Sequence, residues 1–128
     1  MPRWILEVAG RFEAAHRLRS WRGAAEPTHG HSWRVLARLE TDRLDDEGLA
    51  YDFVAVRDAL GALAARVDHR DLNTVPPFDL ESPTTERVAR WFFDGLTSAL
   101  PDAPLVAVTV FEGPDASATY LPDREGGR

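Results

Sequence analysis

Three of the four histidines in this chain of 128 residues, His16, His29 and His31, have the spacing to meet at one point. His29-Gly30-His31 opens a segment in which apolar and polar residues alternate, and His16 closes an earlier one. Residues two apart on a strand share a face. His29 and His31 therefore point the same way, and a neighbouring antiparallel strand could set His16 beside them. Three neutral imidazoles without a thiol are the donor set of a zinc ion that keeps a fourth position open for chemistry; a structural zinc site draws more often on cysteine, and the chain has none. A single histidine is ordinarily a surface residue or a hydrogen-bonded core residue. Three on one face are harder to place without a metal, because unpaired buried imidazoles cost desolvation and one ion satisfies them all. Parity leaves the register between the two strands open.

Other residues could add chemistry. In Asp68-His69 a carboxylate beside an imidazole can orient it and raise its basicity for proton transfer; taken alone, the dipeptide reads as an Asp capping a turn next to a solvated His. Glu112 continues the parity of Val106, Val108 and Val110. It is either a wet residue at a strand end or a bidentate acceptor for a ligand with an amidine-like N–H edge. Thr84-Thr85-Glu86 opens a helical stretch, whose free N–H groups and hydroxyls suit a polar or anionic ligand, although ordinary capping explains them too. Arg17, Arg22 and Arg70 sit in segments read as loops, where an anionic group could reach them.

The elements that would hold these groups follow from periodicity. Residues 4–16 alternate, with Trp4, Leu6, Val8, Phe12, Ala14 and His16 on one parity, and 17–28 break into a long loop of the kind that often carries function. A second strand runs from about His31 to Thr41. Asp52 is an N-cap for a helix over 53–67, and Ser82-Pro83 predicts the start of a second helix that stops before Pro101. The stretch 68–83 between them reads as irregular. Strands at 105–112 and 116–121 follow, and Trp33 and Trp91 fit core positions. The order is ββααββ, which predicts an α+β fold: a four-stranded antiparallel sheet with two helices on one face. One domain over 1–121 and a mobile tail over 122–128 are expected.

Composition narrows the partners. The net charge of −6, with no Lys/Arg stripe or cluster, argues against a nucleic-acid partner, and no apolar run approaches membrane-spanning length. No charged-then-apolar leader precedes a cleavage site, so a cytoplasmic protein that needs no membrane is the expectation.

Taken together, Phe12-Glu13-Ala14-Ala15-His16, His29-Gly30-His31, Tyr51-Asp52-Phe53, Asp68-His69 with Leu72-Asn73, Ser82-Pro83-Thr84-Thr85-Glu86 and Glu112 resemble the 6-pyruvoyl-tetrahydropterin synthase / 6-carboxy-tetrahydropterin synthase family in order and spacing across nearly the whole chain. The resemblance implies a T-fold subunit, with trimers closing a barrel, two trimers making a hexamer, and active sites at subunit interfaces. It implies His16, His29 and His31 as zinc ligands, Glu112 with Thr84 and Thr85 as the pterin anchor, and Asp68 and His69 as two members of a catalytic Cys-Asp-His set. The implied substrate is 7,8-dihydroneopterin triphosphate.

One position departs from the pattern. Family members that make 6-pyruvoyl or 6-carboxy products carry a cysteine four residues before the first histidine of His-Gly-His, and that position is Ala25. Glu26 follows it, which resembles a third class of the family whose members cleave the side chain to 6-hydroxymethyl-7,8-dihydropterin. A glutamate near a metal and apolar walls can serve as general base; Glu26 is otherwise a plain loop residue. Three functions follow: a zinc-dependent lyase with Glu26 as base, a 6-carboxy-tetrahydropterin synthase of the queuosine route with another group in place of the thiol, and a non-catalytic pterin-binding homologue.

Overall fold

The computed structural model describes residues 2–123. Strand β1 (Trp4–His16) and strand β2 (His29–Thr41) pair antiparallel over their whole length, from Trp4 opposite Thr41 to His16 opposite His29. Helix α1 (Phe53–Ala65) starts where Asp52 accepts a hydrogen bond from the Val54 N–H at 2.8 Å. A two-residue strand, β3 (Arg70–Asp71), and a 3-10 turn (Leu72–Thr74) precede helix α2 (Thr85–Ala99), strand β4 (Leu105–Glu112) and strand β5 (Ser117–Tyr120). The sheet order is β3-β1-β2-β4-β5, antiparallel except for β3, which runs parallel to β1.

The α+β class, the two helices and the four expected strands are present. The differences are local and each has a cause. β3 adds a fifth strand inside the stretch read as irregular; it pairs only with Ala14 and Ala15, and two residues show no periodicity. β2 begins at His29 because Gly30 continues the ladder opposite Ala15. The second helix starts two residues late, with Thr84 as its cap accepting from the Arg87 N–H at 3.1 Å. Ser82 is not the cap because its hydroxyl accepts the Arg19 N–H instead. The first helix ends at Ala65, two residues short of the expectation. In β4 a register shift opposite Arg38 and Leu39 takes Val106 out of the buried set that holds Val108 and Val110. Of the expected tail, residues 124–128 lie outside the described residues.

Alternation gives the sheet two unlike faces. One carries Phe12, Ala14, Trp33, Val35, Ala37, Val108 and Val110, all buried under α1 and α2 with Leu60, Phe92 and Leu96. Phe12 stacks on Trp33 with ring centroids 5.4 Å apart, and the Trp33 indole N–H is satisfied by the Ala14 carbonyl at 3.1 Å. Truncating such a ring costs roughly 3–5 kcal/mol. The helices meet where Gly95 leaves room for Leu63; a Cβ on Gly95 would stand 2.7 Å from a Leu63 methyl. The other face carries Glu7, Arg11, Glu13, Ser32, Arg34 and Arg38, with no helix over it among the described residues. No helix among the described residues is long and apolar enough to cross a membrane.

Candidate metal centre and catalytic site

Register settles what parity left open. His16 stands directly opposite His29, and His31 lies opposite Ala14, so all three imidazoles fall on the helix-covered face at one end of the β1–β2 ladder. Their ring centroids are 4.7 Å (His16–His29), 5.3 Å (His16–His31) and 4.7 Å (His29–His31) apart, all edge-on. Trp33 forms the apolar floor, 4.9 Å from the His16 ring and 5.8 Å from the His31 ring. Glu112 joins them because it pairs with Trp33 across the β2–β4 ladder. One potential ligand atom from each of His16, His29, His31 and Glu112 lies within 4.8 Å of every other.

Hydrogen bonds fix which nitrogens are free. The His16 Nδ1 meets the Pro83 carbonyl at 2.8 Å and the His29 Nδ1 meets the Pro27 carbonyl at 3.1 Å. Each carbonyl takes an Nδ1–H, leaving Nε2 of that ring with its lone pair. The His16 and His31 Nε2 atoms are buried without a hydrogen-bond partner. A carboxylate oxygen of Glu112 is 2.9 Å from the His31 Nε2 and 3.5 Å from the His16 Nε2, outside hydrogen-bonding directions. Orphaned buried nitrogens aimed at one point, on a donor set of three imidazoles, fit a divalent cation with an open position. Desolvation holds the His31 imidazole below its usual range, with Glu112 opposing and His16 and His29 adding to the effect. A neutral ring is the form a metal requires.

The other oxygen of Glu112 accepts from the Thr85 hydroxyl at 2.6 Å, so the first turn of α2 and the end of β4 are joined at the cluster. Thr84 is turned to capping. Glu26 lies beside the cluster, its carboxylate 3.9 Å from the His29 Nδ1. It is pinned twice to Leu18, whose N–H donates to the Glu26 carboxylate at 2.9 Å and whose carbonyl accepts the Glu26 N–H at 3.1 Å.

Asp68 and His69 form a dyad, with Nδ1 and a carboxylate oxygen 3.0 Å apart. The other oxygen of Asp68 accepts the Glu13 N–H at 2.8 Å, and the His69 N–H donates to the Glu13 carbonyl. Those bonds hold His69 at φ +57°, in the left-handed region. Asp68 therefore stays charged below the usual carboxylate range, first through the Glu13 N–H and then through His69. No hydrogen bond or ion pair among the described residues joins this dyad to the histidine cluster. Of the arginines considered for an anion, Arg22 lies over the Trp21 ring at 4.3 Å, Arg70 is exposed in β3, and Arg17 is held through its backbone by Asn73. Sequence alone left the Pro83 and Pro27 carbonyls unremarked: carbonyl partners carry no residue-type signal.

The family model for 6-pyruvoyl tetrahydropterin synthase matches residues 5–123. A 6-carboxy-5,6,7,8-tetrahydropterin synthase of Synechocystis is 35% identical, covering 94% of this chain and 95% of its own. A dihydroneopterin monophosphate aldolase of Pyrococcus furiosus is 29% identical over 80% of this chain and 83% of its own. The structure of the Caenorhabditis elegans 6-pyruvoyl tetrahydropterin synthase superposes with a TM-score of 0.83 at 28% identity, covering 95% of this chain and 97% of that one.

Proposed function

The chain belongs to the 6-pyruvoyl tetrahydropterin synthase family, and from that premise we propose that it is a zinc-dependent lyase that cleaves the side chain of 7,8-dihydroneopterin triphosphate to give 6-hydroxymethyl-7,8-dihydropterin. The observation that carries this is the convergence of the His16, His29 and His31 nitrogens with Glu26 held beside them. His16, His29 and His31 hold the ion. Bound there, zinc supplies a Lewis acid that makes the side-chain hydroxyls easier to deprotonate. The Glu26 carboxylate takes the proton, with its reach set by the two bonds to Leu18. Glu112, with one oxygen on the Thr85 hydroxyl, accepts the N–H edge of the pterin, and Thr84 holds the helix end beneath it. Asp68 fixes His69 Nδ1 and leaves Nε2 to relay protons.

The dyad's separation from the cluster supports a site completed between copies. The sheet also supports assembly: residues 4–12 of β1 have no strand partner on their outer side among the described residues, and β5 is the opposite edge. Unpaired edges favour pairing with another copy. Three copies closing a barrel, and two such trimers stacked as a hexamer, would pair every edge.

A second reading has its own support, because the relative at 35% identity is named a 6-carboxy-5,6,7,8-tetrahydropterin synthase. One experiment separates the readings. The zinc-loaded protein is incubated with dihydroneopterin triphosphate and, because one relative is named for the monophosphate, with dihydroneopterin monophosphate. A 6-hydroxymethyl product is expected. A 6-carboxy product would establish the synthase instead, and binding without turnover a pterin-binding homologue. Glu26→Ala is expected to lower turnover by roughly 10²–10⁴-fold while zinc and pterin affinity stay unchanged. Full activity in that variant removes Glu26 as base.

A further inference from the structure

Residues 17–19 leave β1 directly after His16, and each is tied to a different part of the site. The Arg17 N–H donates to the Asn73 side-chain oxygen at 2.9 Å, and the Asn73 side-chain amide donates back to the Arg17 carbonyl at 3.1 Å. Leu18 holds Glu26 through the two bonds already described. The Arg19 N–H donates to the Ser82 hydroxyl at 2.8 Å, and the Arg19 guanidinium donates to the Phe78 carbonyl at 2.5 Å. Ser82 precedes Pro83, whose carbonyl sets the His16 tautomer.

Asn73 occupies a particular place in this arrangement. β3 pairs with β1 at Ala14 and Ala15, then turns away. The Asn73 carboxamide, with one acceptor and one N–H donor in the geometry of a peptide group, carries the pairing on to Arg17. Asp71 caps the turn by accepting the Asn73 N–H at 2.9 Å, which fixes where that carboxamide stands. The backbone is thus gripped on both sides of His16, at Ala15 and at Arg17, and Leu18 with Glu26 follows immediately.

We propose that Asn73 is a positioning residue: by acting as a surrogate strand partner for Arg17 it sets the placement of Glu26 relative to His16 and so to the bound metal. Its side chain bonds to the Arg17 backbone and to none of the clustered histidines. The proposal rests on the proposed function, through His16 as a ligand of the ion and Glu26 as the base.

The test is Asn73→Ala, compared with the parent for thermal unfolding, metal affinity by chelator competition, the visible spectrum of the cobalt-substituted protein, and kcat and KM. Metal affinity is expected to weaken about tenfold, with an altered cobalt spectrum, and kcat to fall by more than KM changes. Asn73→Gln, which keeps the carboxamide on a longer stem, is expected to recover part of both. A lowered unfolding temperature with unchanged cobalt spectrum, metal affinity and kcat would make Asn73 a purely structural residue and overturn the proposal. Should Asn73→Ala not fold, Asn73→Asp decides on the same measurements, since it keeps the acceptor for the Arg17 N–H and loses the donor. If Glu26→Ala retains full activity, the proposed base is wrong, and metal affinity and cobalt spectrum alone judge Asn73.

Discussion

The histidine cluster and the Asp68–His69 dyad both meet strand β1, the one through His16 and the other through Glu13, yet only the cluster has its groups converging on a point. His16 is 3% exposed and the cluster's nitrogens already converge. The dyad is open, with His69 77% and Asp68 41% exposed. The cluster is built from β1 and β2 side chains on the helix-covered face, with Glu112 from the end of β4. The dyad hangs on the outer edge of β1 through the Glu13 peptide groups. Its geometry is fixed, including a left-handed backbone at His69, but no hydrogen bond or ion pair among the described residues joins it to the cluster. Backbone strain held in place by specific hydrogen bonds accompanies function. A pre-oriented acid–base pair not joined to its own chain's cluster is what a site shared between copies requires of each copy.

The largest expected effect falls on the cluster. His16→Ala removes the most buried ligand, and we expect loss of bound zinc, read by elemental analysis, with turnover down by at least about a thousandfold. His69→Ala is expected to lower turnover by roughly 10²–10⁴-fold while zinc content stays at the parent level. Mixing the two inactive variants and letting their subunits exchange tests the comparison itself. If each site takes its cluster from one copy and its dyad from another, about a quarter of the sites in an equal mixture have both halves intact, and activity returns. If the halves belong to one chain, the mixture stays inactive. The same comparison without chemistry is the solution mass of the parent, which is expected to be that of six chains; a monomer with full activity would end the shared-site account.

The two regions also differ in how legible they were. The cluster follows from alternation, because a strict period of two fixes which side chains share a face, and the pairing of His16 with His29 then needs only a register. The dyad's two residues are adjacent and sit at a two-residue strand, below the length at which any period can be seen. The start of α2 was misplaced for a related reason. Ser82 and Thr84 have equal claims as caps by residue type, and the choice was made by a distant residue, Arg19, that needed the Ser82 hydroxyl. Val106 left the core through a bulge, which alternation cannot reveal. Glu112 was legible as a carboxylate at the apolar end of a strand, but its closeness to the histidines came from the pairing of β2 with β4.

The smallest expected effect separates the regions by pH in the metal-free protein. The folded state holds His31 below the ordinary imidazole value of 6.5, chiefly by desolvation. Between 6.5 and the lower folded value the unfolded chain binds more protons, so stability falls as pH drops through that window. Asp68 is held below 3.8 by the Glu13 N–H and by His69. Its contribution is therefore fully present above 3.8 and is lost as pH falls from there through the folded value. Asp68→Asn keeps an acceptor for the Glu13 N–H, removes the charge and replaces the oxygen facing the His69 Nδ1 with an NH2 group. The parent is expected to unfold at a slightly higher temperature than Asp68→Asn at pH 6, and the difference to shrink as pH falls below 3.8. The cluster's protonation is common to both proteins and cancels. A difference that stays constant across that range would mean the carboxylate charge does not hold the dyad to β1, and the orientation of His69 would then rest on the backbone bonds to Glu13 alone.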